Sequence, residues 1–133
     1  MEMLSFNYQD VKINNIQLMP NSVRVFGEVE QQQKYCICCK SHKIKAYAKG
    51  DIRIVDLPVN QKTVLLFITR KRYLCIDCNK TFFDQIKFKD KHHRMTSNLV
   101  KEIKRKFGTL SCSDLSKILA IPRRTIIDVV NEG

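Results

Sequence analysis

The chain has 133 residues, enough for one domain or two very small ones. Its 44% apolar content excludes a disordered chain, and its longest apolar run, residues 64–68, excludes a membrane-spanning helix. The formal charge of +11 is uneven: −2 over residues 1–33, +7 over 34–79 and +6 over 80–133, which points to a polyanion partner, nucleic acid before membrane.

Residues 1–7 show no basic region followed by an apolar run, so no signal peptide is expected. Residues 11–17 and 22–31 read as strands around a Pro20-Asn21 turn. In the second, Val23, Val25 and Val29 alternate with Arg24, Glu28 and Glu30, the period of a half-buried strand. Tyr35-Cys36-Ile37-Cys38-Cys39 follows, the first Cys-x-x-Cys pair. Ile44, Ala46 and Ala48 alternate with Lys43, Lys45 and Lys49, and Gly50-Asp51 reads as a turn. Residues 52–55 are a further strand ending at Leu57-Pro58. The strongest strand signal, residues 63–73, leads into Cys75-Ile76-Asp77-Cys78, and Thr81-Phe82-Phe83 is a short strand after it.

The two pairs, with 35 residues between them, suggest a four-thiolate zinc site. A two-residue spacer lets both sulfurs of a pair reach one ion from a tight turn, with turn amides pointing at the thiolates. Four thiolates close the tetrahedron, so the site is structural, not catalytic. One zinc per chain is expected, joining the ends of a β-rich unit too small for a robust core by itself. Cys38 and Cys112 are left over. Reduced cytosolic thiols are the expected state, so disulfides are the weaker explanation. A redox or catalytic thiol enzyme is disfavoured, because neither pair sits in a βαβ pattern.

From Thr96 the period becomes helical. Leu99, Val100, Ile103 and Phe107 form one face, and Gly108 stops the helix. Ser111 is an N-cap with Asp114 three residues on, ahead of Leu115, Ile118 and Leu119. Ala120-Ile121-Pro122 connects to a third helix, residues 123–131, with Ile126, Val129 and Val130 on one face. This order is that of a helix-turn-helix, in which Arg123, Arg124, Thr125 and Asp128 would face DNA.

Cys36-x-x-Cys39, then Val55-Asp56-Leu57-Pro58, then Arg70-Lys71-Arg72-Tyr73-Leu74-Cys75-x-x-Cys78 and Thr81-Phe82-Phe83, resemble the N-terminal zinc-binding region of ISL3-family bacterial transposases. The resemblance covers roughly residues 30–131. It implies that Cys36, Cys39, Cys75 and Cys78 are the zinc ligands and that a helix-turn-helix follows. The family usually has Pro after the first Cys and Gly after the second; here those positions hold Ile37 and Lys40. A Gly there eases a left-handed backbone, which Asn79 after the second pair also tolerates. Cys38 is either a spectator or a competitor for the metal. His42 is read as a surface residue that could serve if the first pair were distorted, and His92-His93 as a linker on the DNA side.

The expected fold class is α+β: a β-rich zinc-ribbon-like domain, 1–90, followed by a three-helix helix-turn-helix unit, 95–133. The expected function is zinc-dependent, sequence-specific binding of double-stranded DNA. The contacts would be Arg123, Arg124, Thr125 and Asp128, with Arg70, Lys71, Arg72, Lys43 and Lys45. A homodimer is possible in this reading; no membrane and no small-molecule substrate are expected. The alternative is a standalone transposase-derived regulator or protein-interaction module whose zinc unit binds a protein. No catalysis is expected: ISL3-like transposases carry a long acidic catalytic domain after these modules, whereas the carboxylates here are scattered. The chain would be the DNA-binding part of a longer transposase or a short protein derived from one, in the bacterial cytoplasm at the nucleoid.

Overall fold

The computed structural model describes residues 8–30 and 33–131. Residues 1–7, 31–32 and 132–133 lie outside the described residues, and with them the expected N-terminal segment and the end of the second expected strand. Five strands are present: β1 (Val11–Leu18), β2 (Ser22–Val29), β3 (Ile44–Val59), β4 (Lys62–Cys75) and β5 (Thr81–Phe83). Three helices follow: α1 (Ser97–Lys106), α2 (Cys112–Leu119) and α3 (Arg123–Val130). The sheet order is β1-β2-β4-β3, with β5 pairing the far end of β4.

The strand β4 is central because it is apolar on consecutive positions. It pairs parallel with β2, Val23 against Val64 and Val25 against Leu66, and antiparallel with β3. A strand with a neighbour on each side and cover on its face tolerates such a run. Val23, Val25, Ile52, Ile54, Val64, Leu66 and Ile68 are buried together in the sheet core. Each such side chain contributes about 1.5–3 kcal/mol by leaving water. Asn60 and Gln61 join β3 to β4 with positive φ at both positions, the backbone of a two-residue hairpin turn whose twist matches the strands.

The expected break at Gly50-Asp51 is absent. Gly50 pairs with Arg70 and Asp51 with Thr69, so β3 runs unbroken for 16 residues. The long ladder with β4 overrides the local turn signal. The strand also passes through Leu57-Pro58, where the register shifts between Asp56 and Val59. A proline there is tolerated because β3 is an edge strand and the ladder is already interrupted.

The expected fold class is corrected. The described residues are mostly β, 44% strand against 21% helix, built on a mixed five-stranded sheet. Its β part fits a zinc-ribbon-like description, but the structure does not show the helix-turn-helix unit. The three helices are short, and their apolar faces pack on one another and against one stretch of β3. Leu99, Val100, Ile103, Leu115, Leu119, Ile126 and Val129 share a core with Met95, and Val55 and Leu57 of β3 pack against it. The physical reason is that these helices bury one stripe each, and strand residues supply part of the surface they bury it against. Phe107 and Ile118, expected on buried faces, are instead 46% and 48% exposed; Phe107 is the C-cap of α1.

The helix cap read from the sequence, Ser111, is present, and Thr96 supplies a second. Ser111 Oγ accepts from the Asp114 amide at 3.1 Å and caps α2. Thr96 caps α1, its Oγ1 accepting from the Leu99 amide at 3.2 Å and donating to Asp56 Oδ1 at 2.7 Å. Asp56 also accepts from the Tyr8 hydroxyl. The Asp56-Leu57-Pro58 stretch therefore ties helix to sheet: Asp56 holds the cap, Leu57 joins the helical core, and Pro58 sits where the register shifts. No helix among the described residues is long and apolar enough to cross a membrane.

Candidate metal centre

Two turns of matching geometry carry the cysteines. In the first, the Lys40 amide donates to Cys36 O at 3.0 Å and the Cys36 amide to Ser41 O at 2.8 Å. In the second, the Asn79 amide donates to Cys75 O and the Cys75 amide to Lys80 O, both at 2.9 Å. The residue after each pair is left-handed, Lys40 at φ 63° and Asn79 at φ 60°. Lysine in that region costs of order 1 kcal/mol relative to glycine. The departure at Lys40 thus leaves the turn intact, and Lys40 Nζ rests 5.4 Å from the Tyr35 ring centre.

The sheet brings the two turns together. The start of β3 pairs with the end of β4, Ile44 opposite Cys75. The Ile76 amide donates to Lys43 O at 2.9 Å, and Ser41 Oγ donates to Asp77. As a result Cys36 Sγ lies 3.6 Å from Cys78 Sγ, and Cys39 Sγ 3.5 Å from Cys75 Sγ. The four sulfurs lie within 4.8 Å of one another. A tetrahedral zinc with thiolates at 2.3 Å sets sulfurs about 3.8 Å apart. Cys36, Cys39, Cys75 and Cys78 are therefore positioned to hold a metal ion, and an all-thiolate donor set suits zinc. The donors leave no open position, so the ion would brace the fold and not activate a substrate.

Amides aimed at the sulfurs stabilise negative charge. Those of Cys39 and Cys38 donate to Cys36 and pull its thiol down to about 6. The Cys38 amide stands 3.4 Å from Cys36 Sγ, so Cys38 serves through its backbone while its thiol remains outside the group. The Lys80 amide pulls Cys78 the same way, but burial and the thiols of Cys75, Cys36 and Cys39 push it up to about 12. Four sulfurs this close cannot all ionise unaided; a divalent cation supplies the missing charge. His42 faces away, its Nδ1 3.2 Å from Lys34 O, and is not part of the group. Cys112 sits in α2.

Behind the cysteines is a small second core. Tyr73 and Phe82 stack at 5.4 Å and pack with Cys36 and Cys75. Asp84 is 3% exposed and accepts from Tyr73 Oη at 2.8 Å, the Lys71 amide at 2.9 Å and the Gln33 amide at 3.2 Å. It thereby fixes β4, the chain ahead of the first pair, and the ring that covers the metal ligands. Sequence reasoning had only counted Asp84 among scattered carboxylates. The available signal was the inward Phe82 of Thr81-Phe82-Phe83, which puts Asp84 inward two positions on.

The basic residues fall into two places. Arg70 and Arg72 share one face of β4 with Phe83 of β5. The Arg70 guanidinium is 4.1 Å and that of Arg72 5.3 Å from the Phe83 ring centre, and Arg72 is 5.8 Å from that of Tyr47. Cations and exposed rings thus alternate beside the cysteine centre, an arrangement in which each ring face attracts its guanidinium. Lys43 and Lys45 are exposed at the head of this region, and Lys71 is half-buried. Arg123, Arg124 and Asp128 are exposed and Thr125 half-buried on α3. The turn before α3 meets the opposite end of β4, where Thr63 Oγ1 donates to Ala120 O at 2.7 Å. Thr63 and Arg72 are roughly 30 Å apart along the strand. The structure thus does not gather the expected DNA contacts into one patch, and a ligand touching both groups must be extended.

Fold and site together define a mostly β protein with one closed tetrathiolate centre. Comparison with family models, curated proteins and solved structures finds no match to this chain.

Proposed function

We propose that the chain is a zinc-dependent protein that binds double-stranded DNA with sequence preference, similar to the part of an ISL3-like transposase that recognises the ends of a mobile element. The observation that carries this reading is the run of Arg70, Arg72, Phe83 and Tyr47 set directly beside the metal centre, on a chain of net charge +11. Arginines braced on aromatic rings keep their donors aimed outward and lose less entropy on meeting phosphate. The zinc centre would hold that face rigid and make no contact chemistry of its own. Lys43 and Lys45 extend the positive surface along the DNA backbone, while Arg123 and Arg124 are assigned to base edges.

Random duplexes enriched on the zinc-loaded protein, followed by gel-shift titration over a salt series, test this. Neutralising about six phosphates gives a log–log slope near −5. Arg123→Ala and Arg124→Ala should reduce the preference for the enriched site more than Lys43→Ala or Lys45→Ala. A flat salt response, or no enrichment, would refute DNA binding and leave a transposase-derived regulator whose zinc unit binds a protein.

A further inference from the structure

A cleft of about 340 Å³ opens between the upper part of β4 and the loop after β5, lined by Arg70, Phe83, Gln85, Lys89 and Lys91, with Asp84 and Asp90 in its wall. We propose that Arg70 and Lys89, with Lys91 at the rim and the exposed Arg94 close beside the cleft, form a seat for one phosphate group of a bound nucleic acid. The inference rests on the DNA-binding reading and adds Lys89, Lys91 and Arg94, which lie outside the Arg70–Arg72 run and α3.

The cleft holds excess positive charge in a rigid frame. The two carboxylates in the wall offset part of that charge, and their oxygens are already held by other donors. Asp84 accepts from Tyr73 and two backbone amides, and Asp90 Oδ2 accepts from the amides of His92 and His93 at 3.0 and 3.2 Å. Neither makes an ion pair with Arg70, Lys89 or Arg94 among the described residues. The cations are instead close enough to disfavour one another. Burial first, and then the Arg94 charge, hold Arg70 below the ordinary guanidinium range, with Asp84 opposing them. Burial, and then Arg70, do the same to the Lys89 ammonium, with Asp90 opposing and Arg94 adding a smaller push.

The positions are fixed by the fold. Arg70 lies within the β3–β4 ladder and its guanidinium is stacked 4.1 Å from the Phe83 ring centre. The Lys89 loop is closed by bridges between Lys89 and Thr96 and between Met95 and Val55, and Lys89 Nζ leans on Asp90 O at 2.8 Å. Holding like charges together costs free energy that a bound anion returns, and the restraints on Arg70 and Lys89 reduce the ordering left to be done on binding. A phosphate diester, with one negative charge shared over two non-bridging oxygens, matches a guanidinium fork plus an ammonium. A single such seat gives position and salt dependence but no sequence reading.

The test uses the full zinc-loaded chain. Arg70→Gln, Lys89→Gln, Arg94→Gln and the triple variant are compared with Lys12→Gln, on the opposite edge strand, for duplex binding over a salt series. The seat neutralises one phosphate, so the triple variant should make the log–log slope shallower by about 1 and each single cleft variant by part of that, equally for enriched and random duplexes, with Lys12→Gln unchanged. Lys89 and Arg94 are loop residues, so their variants keep the test open if Arg70→Gln fails to fold. In parallel, inorganic phosphate is titrated while side-chain N–H resonances are followed by NMR. If the wild type binds duplex and the cleft variants keep its slope, the seat is refuted and the DNA-binding reading stands. If the wild type binds no duplex, that reading falls; the seat then survives only if phosphate shifts the Arg70, Arg94 and Lys89 resonances, and is refuted if it does not.

Discussion

Asp84→Ala should be among the most destabilising single changes in this protein. The carboxylate is buried and accepts from the Tyr73 hydroxyl, the Lys71 amide and the Gln33 amide. Truncation leaves the Tyr73 hydroxyl buried without an acceptor, at about 2 kcal/mol. The Lys71 and Gln33 amides are partly buried and lose about 1 kcal/mol each. The expected loss is about 4 kcal/mol. With a urea dependence of about 2 kcal/mol per molar, the midpoint should fall by about 2 M. Urea unfolding followed by circular dichroism measures it, at a fixed excess of free zinc because bound metal adds stability by mass action. Asp128→Ala, an exposed change on α3, should stay within about 0.5 kcal/mol of wild type. Because Tyr73 packs with Phe82 against Cys36 and Cys75, the variant should also release zinc to a chelator faster. A midpoint shift under about 0.5 M for Asp84→Ala would refute the reasoning: the three bonds would then carry no net stability.

Zinc stoichiometry should be one per chain; Cys75→Ser should lose the metal and the folded turns, while Cys38→Ser and Cys112→Ser should retain it, as read by metal content of the purified variants. Thr96→Ala removes the α1 cap and one partner of Asp56, and should cost about 1–2 kcal/mol in thermal or urea unfolding, most of it recovered by Thr96→Ser. Burial and the Asp84 carboxylate hold the Tyr73 hydroxyl up to about 12. The folded value lies above the unfolded value of about 10, so this contribution is complete below pH 10 and is lost as pH rises towards 12. The stability advantage of wild type over Tyr73→Phe should shrink across that window. Finally, the chain should bind supercoiled plasmid without nicking it in magnesium or manganese, since strand transfer needs carboxylates holding two metals about 4 Å apart; nicking that disappears on changing an acidic residue would overturn this.

What the sequence determined by itself is what depends on neighbours in the chain. The Cys-x-x-Cys spacing fixes each turn, because a two-residue spacer and a left-handed residue after it are local requirements that Lys40 and Asn79 satisfy. The Ser111 cap, with the Asp114 amide three residues on, is local too, as is the buried stripe Leu99, Val100 and Ile103. Tertiary structure decided the rest. Gly50-Asp51 reads as a turn until a partner strand lies beside it, and only the β4 ladder makes β3 continuous. The parallel pairing of β2 with β4 joins residues about forty positions apart, and no local pattern encodes it. Asp56 meets Thr96 across a separation of 40 residues, and Asp84 meets Gln33 across 51. The mostly β class, the docking of the helices on Val55 and Leu57, and the grouping of Arg70, Lys89 and Arg94 all arise in this way. A carboxylate or a cation carries the same chemistry wherever it falls in the chain; its role is set by which distant groups the packed core brings within about 3 Å for a hydrogen bond, or within a few times that distance for charge.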